Sequence, residues 1–98
     1  MYIVIWRFKV DPAQRAKFEK AYGAKGEWAK FFSTAKDYLG TELLADDERP
    51  GEYVTIDRWN SEEAYSAFLA EHETDYDRLD RRFESLTISE SRLGAYLG

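Results

Sequence analysis

The segment from Tyr2 to Val10 carries apolar side chains on both faces of the strand it would form, and no other stretch constrains the fold as strongly. Tyr2, Val4, Trp6, Phe8 and Val10 alternate with Ile3, Ile5, Arg7 and Lys9, and β-branched and aromatic residues dominate, as a strand requires. One layer of helices covers only one face of a sheet. Ile3 and Ile5 on the other face need a second cover, and its economical source is another copy of the same sheet, packed face to face in an isologous homodimer. The aromatic content of 16 % points the same way, because a chain of 98 residues has little interior in which to bury that many rings.

The rest of the chain supplies the first cover. Asp11-Pro12 offers an N-cap and a first-turn proline, and Phe18, Ala21 and Tyr22 share one stripe of a helix that stops near Gly23. After Gly26, Trp28, Phe31, Phe32 and Ala35 recur at helical spacing. Tyr38 to Asp46 and Glu52 to Trp59 read as two strands around the turn segment Asp46-Asp47-Glu48-Arg49-Pro50-Gly51. Asn60 or Ser61 caps the next helix, whose inner stripe is Tyr65, Phe68, Leu69 and His72, and Thr74 or Asp75 restarts a helix through Tyr76, Leu79 and Phe83. Leu86 to Arg92 forms a last strand, followed by a short apolar tail from Leu93 to Leu97. The order β-α-β-β-α-β, with each helical crossover split in two, predicts an α+β, ferredoxin-like subunit: a four-stranded antiparallel sheet with helices on one face. The even composition predicts a single domain over residues 1–98.

Charge and cysteine content exclude several classes of function. Fourteen Lys+Arg against nineteen Asp+Glu leave a net charge of −5, spread along the chain, so nucleic acid and anionic membrane are poor partners. The absence of cysteine excludes disulfides, thiolate metal sites and a cysteine nucleophile, and makes a reducing cytoplasm the expected location. The first ten residues are too short for a membrane span and lack the charged start and cleavage site of a signal peptide, which suits a strand at the N-terminus. Gly23-Ala24-Lys25-Gly26 follows a helix and lacks phosphate-loop spacing, and no Gly-x-Ser-x-Gly elbow occurs.

Three stretches together resemble a known family: Tyr38-Leu39-Gly40-Thr41-Glu42-Leu43-Leu44, then Glu48-Arg49-Pro50-Gly51, then the run from Tyr53 through Trp59-Asn60-Ser61-Glu62-Glu63-Ala64-Tyr65. The tract ending Trp-x-Ser-x-x-Ala-aromatic, a strand running into a capped helix, is similar to that of the antibiotic biosynthesis monooxygenases, whose ferredoxin-like subunits pair into a dimeric α/β barrel. The resemblance covers nearly the whole chain. It implies a cofactor-independent monooxygenase of small aromatic or quinol-like compounds, although the wider superfamily also holds haem-degrading enzymes, isomerases and proteins without established activity. Many members carry a histidine where this chain has Phe68, which favours the alternative of a non-catalytic, small-molecule-binding or stress-associated dimer. The haem-degrading pattern of a first-strand asparagine, a helical tryptophan and an axial histidine has no counterpart here, so no cofactor is expected.

Within that frame the candidate bases are His72, the only histidine, and Asp57. His72 between Glu71 and Glu73 also reads as a helix-end side chain in solvent, and those neighbours point in different directions, so no metal site is expected. Tyr53, Thr55, Asp57 and Trp59 share one strand face, and Val54, Ile56 and Arg58 share the other; one face or the other lines the space between subunits. If it is the first, Asp57 is a carboxylate in an aromatic pocket, its pKa raised by desolvation. If it is the second, Arg58 with Arg7 and Lys9 offers a cationic floor for an anionic ligand, or only rim charges. Trp6, Trp28, Phe31, Phe32, Tyr65 and Phe68, with Trp59, would make a wall for a planar aromatic ligand or simply a core. Asn60 either orients a substrate oxygen or caps the helix.

Overall fold

A computed structural model describes residues 1–98 and places them in one α+β layer pair. Four strands, β1 (Tyr2–Val10), β2 (Tyr38–Ala45), β3 (Glu52–Trp59) and β4 (Thr87–Leu97), form an antiparallel sheet in the order β2-β3-β1-β4. The helices α1 (Arg15–Tyr22), α2 (Glu27–Phe32), α3 (Glu62–Glu71) and α4 (Glu73–Phe83) carry the inward-facing stripes that cover one face of it. This is the ferredoxin-like arrangement with both crossovers split. No helix is long and apolar enough to cross a membrane.

Local chemistry sets where each element begins and ends. Asp11 accepts a hydrogen bond from the Ala13 amide, but Pro12–Gln14 wind as a 3₁₀ turn and the α-helix starts only at Arg15. Gly23 closes α1, and a Cβ on Gly26 would lie 2.4 Å from the carbonyl oxygens of Lys20 and Ala21, so only glycine permits the tight elbow that swings Trp28 onto the sheet. Ser61, not Asn60, caps α3 by accepting from the Ala64 amide at 3.1 Å, with Glu62 and Glu63 in the first turn to complement the helix dipole. His72 ends α3 and opens α4 at Glu73, one or two residues earlier than the Thr74 or Asp75 expected.

Two other expectations change. Asp46 lies just past β2, where its carboxylate accepts from the Glu48 and Arg49 amides and shapes the turn. The apolar tail from Leu93 to Leu97 is strand rather than tail: Tyr96 pairs with Ile3 and Leu97 with Tyr2, so β4 runs the full length of β1. A register shift opposite Ile5 and Trp6, next to Gly94, interrupts the alternation and hides that continuity in the sequence.

The core fills the space between helices and sheet. Tyr2, Val4, Phe8 and Val10 of β1 and Tyr53 and Trp59 of β3 meet Phe18, Tyr22, Trp28, Phe32, Phe68 and Phe83 from the helices. Tyr53 is tied to α1, its hydroxyl donating to Glu19 Oε2 at 2.5 Å and accepting from Arg15 Nε at 3.1 Å. Ten of the sixteen aromatic rings are buried in this cluster and five more pack against it, leaving Tyr96 as the exposed one, so the subunit houses its aromatics without help. The rings therefore give no argument for a second sheet. The argument that survives is Ile3, Ile5, Val54 and Ile56, which share the outer face with exposed Leu44 and Tyr96.

Candidate functional site

Between the helical layer and the inner face of the sheet lies a cavity of about 50 Å³. The sheet contributes Trp6, Phe8, Thr41, Thr55, Asp57 and Glu90, and the helices contribute Tyr22, Trp28, Phe32, Tyr65, Tyr76 and Asp80. Register explains the set: Trp6 stands opposite Thr55 on β3, Asp57 opposite Thr41 on β2, and Phe8 opposite Glu90 on β4, all on one face. A volume of this size holds a few waters, each needing roughly 10–15 Å³. The rings of Trp6, Tyr65 and Tyr76 that line it are half-buried.

The face carrying Tyr53, Thr55, Asp57 and Trp59 packs on the helices of its own subunit. Asp57 is the polar centre of the pocket. Burial among rings pushes its carboxyl up to about 6 from an ordinary 3.8, against the opposing effect of a hydrogen bond donated by Thr41 Oγ1 at 2.5 Å. Thr41 Oγ1 in turn lies 2.5 Å from the Tyr38 hydroxyl, so the carboxyl ends a chain of three hydroxyl and carboxyl groups. Burial also raises the hydroxyls of Tyr22, to about 12, and of Tyr65 and Tyr76, which keeps all three protonated as potential donors. At the rim, burial and the neighbouring charge of Asp80 raise the Glu90 carboxyl. Trp28 Nε1 is buried without a hydrogen-bond partner.

The candidates from the sequence do not all come together. Trp6, Asp57 and Tyr65 line the cavity together with Trp28 and Phe32. Trp59 and Phe68 lie behind it in the core, their rings 5.4 Å apart, and His72 sits outside it, tilted against Phe68 at 4.4 Å and edge-on to Phe31 at 6.1 Å. Arg7 and Arg58 lie on the opposite face of the sheet, Arg7 bridging Asp46 at 3.0 Å and Glu52 at 3.5 Å and Arg58 bonded to Glu42, so neither reaches the pocket. Asn60 donates from its side chain to Asp37 Oδ1 at 3.1 Å and from its amide to the Asp37 carbonyl, fastening the start of β2 to the end of β3. The sequence reading did not reach Tyr22, Thr41, Tyr76, Asp80 and Glu90. The usable signal was alternation along β4, which puts Glu90 on the face that Phe8 occupies, had its register been known.

The family model described as antibiotic biosynthesis monooxygenase matches residues 1–74, and the chain belongs to that family. A comparison with curated proteins returns no match. Among solved structures, SnoaB, a cofactor-independent oxygenase from Streptomyces nogalater, superposes with a TM-score of 0.79 at 22 % identity, covering 99 % of this chain and 91 % of that one. A Bordetella bronchiseptica protein provisionally described as an antibiotic biosynthesis monooxygenase gives 0.75 at 17 % identity, over 99 % of this chain and 95 % of that one. Its Deinococcus radiodurans counterpart, described in the same provisional terms, gives 0.73 at 15 % identity, over 100 % and 92 %. At these identities the likeness establishes the shared fold.

Proposed function

We propose that the protein is a cofactor-independent monooxygenase of a small phenolic or quinol-like compound, working in the cavity beneath α3 and α4. The observation that carries this reading is Asp57, a carboxyl group in an aromatic-walled pocket whose pKa of about 6 suits proton removal near neutrality. Membership of the family and the oxygenase activity of SnoaB support it. Asp57 accepts the phenol proton; the resulting anion gives an electron to dioxygen; the radical pair recombines at a ring carbon, and loss of water leaves a quinone. The overall balance is one phenol and one dioxygen to one quinone and one water. The packed rings exclude bulk water from the radical pair.

The working unit is a homodimer, supported by the outer face where Ile3, Ile5, Val54 and Ile56 remain without a covering layer. The reducing cytoplasm, which a chain without cysteine suits, is its proposed location. A second reading, a dimer that binds an aromatic compound without turning it over, is favoured by Phe68, which fills core at the position where many members of the family carry histidine. Oxygen uptake with a panel of phenols and hydroquinones separates the two. Asp57→Asn lowers uptake by about tenfold or more, whereas His72→Ala, outside the cavity, stays within about twofold. A bound phenol that is chemically unchanged in air would overturn catalysis, and full activity in Asp57→Asn would overturn Asp57 as base.

A further inference from the structure

We infer that this cavity selects a phenol bearing a cationic amino group, with Asp80 and Glu90 at the rim receiving the ammonium and the rings of Trp6, Trp28 and Tyr76 receiving the aromatic body. The inference rests on the reading of the cavity as a ligand site and adds the class of ligand.

Four observations lead to it. The charged residues lining the cavity are Asp57, Asp80 and Glu90, with no lysine or arginine among them. Of the arginines that might have received a carboxylate or phenolate, Arg7 and Arg58 pair with acids on the far face of the sheet, and Arg92, on the inner face opposite Trp6, is held by the Tyr2 hydroxyl at 3.3 Å and does not line the cavity. Asp80 and Glu90 are close enough for one charge to oppose ionisation of the other, yet no side chain of the protein pairs with either of them. Two like charges without a counterion are relieved by a cation from outside. The remaining lining is aromatic, with Trp28 and Tyr76 centroids 5.0 Å apart at 60°, an angled wall of ring faces that attracts a cation further. A ligand with an ammonium at one end and an aromatic ring at the other satisfies these groups. A metal ion does not, since no three acidic or histidine side chains converge to hold one.

The test compares three compounds of one shape and different charge at neutral pH: tyramine, para-ethylphenol and para-hydroxyphenylpropionate. Binding is followed by calorimetry and by the fluorescence of Trp6 and Trp28. Tyramine should bind about tenfold tighter than para-ethylphenol, and the carboxylate weakest of the three. In the double variant Asp80→Asn/Glu90→Gln the tyramine affinity should fall to that of para-ethylphenol. The single variants, each expected to give part of the loss, serve if the double variant does not fold. Equal or tighter binding of the carboxylate, or a preference for tyramine that survives in these variants, overturns the inference. If tyramine and para-ethylphenol bind equally while Asp57-dependent oxygen uptake persists, only this inference falls. If none of the three binds, the reading of the cavity falls with it.

Discussion

Thr41 and Asp57 stand directly opposite one another on β2 and β3, and the threonine hydroxyl donates to the carboxyl at 2.5 Å. The pairing places a small polar side chain where the sheet meets the cavity, and the Tyr38 hydroxyl, 2.5 Å behind Thr41, completes a chain that orients both hydroxyl protons toward Asp57. Burial and hydrogen bonding therefore act in opposite directions on the same carboxyl, and burial prevails. The result is a base neither as weak as a solvated aspartate nor permanently protonated.

Thr41→Val keeps the shape of the side chain and removes the donor. The carboxylate then loses the one hydrogen bond that favours its charged form, so its pKa rises above the present value of about 6. The acid limb of the pH profile for phenol oxidation should move to higher pH, with the plateau rate at alkaline pH largely retained. Tyr38→Phe, one step further from the carboxyl, should shift the limb in the same direction by less. An unmoved acid limb in Thr41→Val would show that the hydroxyl does not tune Asp57.

The same group links stability to pH. The folded carboxyl titrates near 6 and the unfolded one near 3.8, so the folded state holds the proton more tightly. Its stabilising contribution is fully present below about pH 4 and is lost as pH rises through about 6, a difference of about 3 kcal/mol. Asp57→Asn removes that penalty while keeping an oxygen to accept from Thr41. Urea unfolding at pH 7.5 should therefore find Asp57→Asn more stable than the parent by about 2 kcal/mol, with the gap closing at pH 4. The variant expected to lower turnover is thus also expected to fold better. Equal stability of the two proteins at pH 7.5 would mean that Asp57 is not desolvated.

Legibility in the sequence followed the length of each periodic signal. The β1 and β3 alternations, uninterrupted by glycine, gave correct faces, and the α3 cap and the glycines bounding α1 and α2 gave helix ends within a residue or two. The end of β4 was lost because Gly94 and the adjacent register shift break the alternation, although the backbone keeps pairing with β1. Asp57 stood out as an acid on a strand face shared with Tyr53, Thr55 and Trp59, a placement that only a pocket or an interface accommodates. Which of the two it was depended on where the helices dock, and that is set by the Gly26 elbow and the His72 break rather than by β3 itself. Arg7 and Arg58 illustrate the cost of that ambiguity: their strand positions were read correctly, and the cavity formed on the other face.

That division of the sheet also makes the proposed dimer separable from the pocket. Ile5 and Ile56 are paired across β1 and β3 on the outer face, whereas the cavity lies wholly on the inner one. In an isologous interface each substitution occurs twice, so a charge placed at Ile5 desolvates two carboxylates at once. The parent chain should sediment at micromolar concentration with twice its mass of 11.5 kDa, and Ile5→Asp should sediment as a monomer, its dimer weakened by about a hundredfold or more. The monomeric variant should still bind a neutral phenol, because one subunit by itself walls the cavity from both the sheet and the helices. Loss of phenol binding in a folded Ile5→Asp monomer would mean that the partner completes the site. A parent chain that is itself monomeric would leave the outer isoleucines facing water and remove the case for a second sheet.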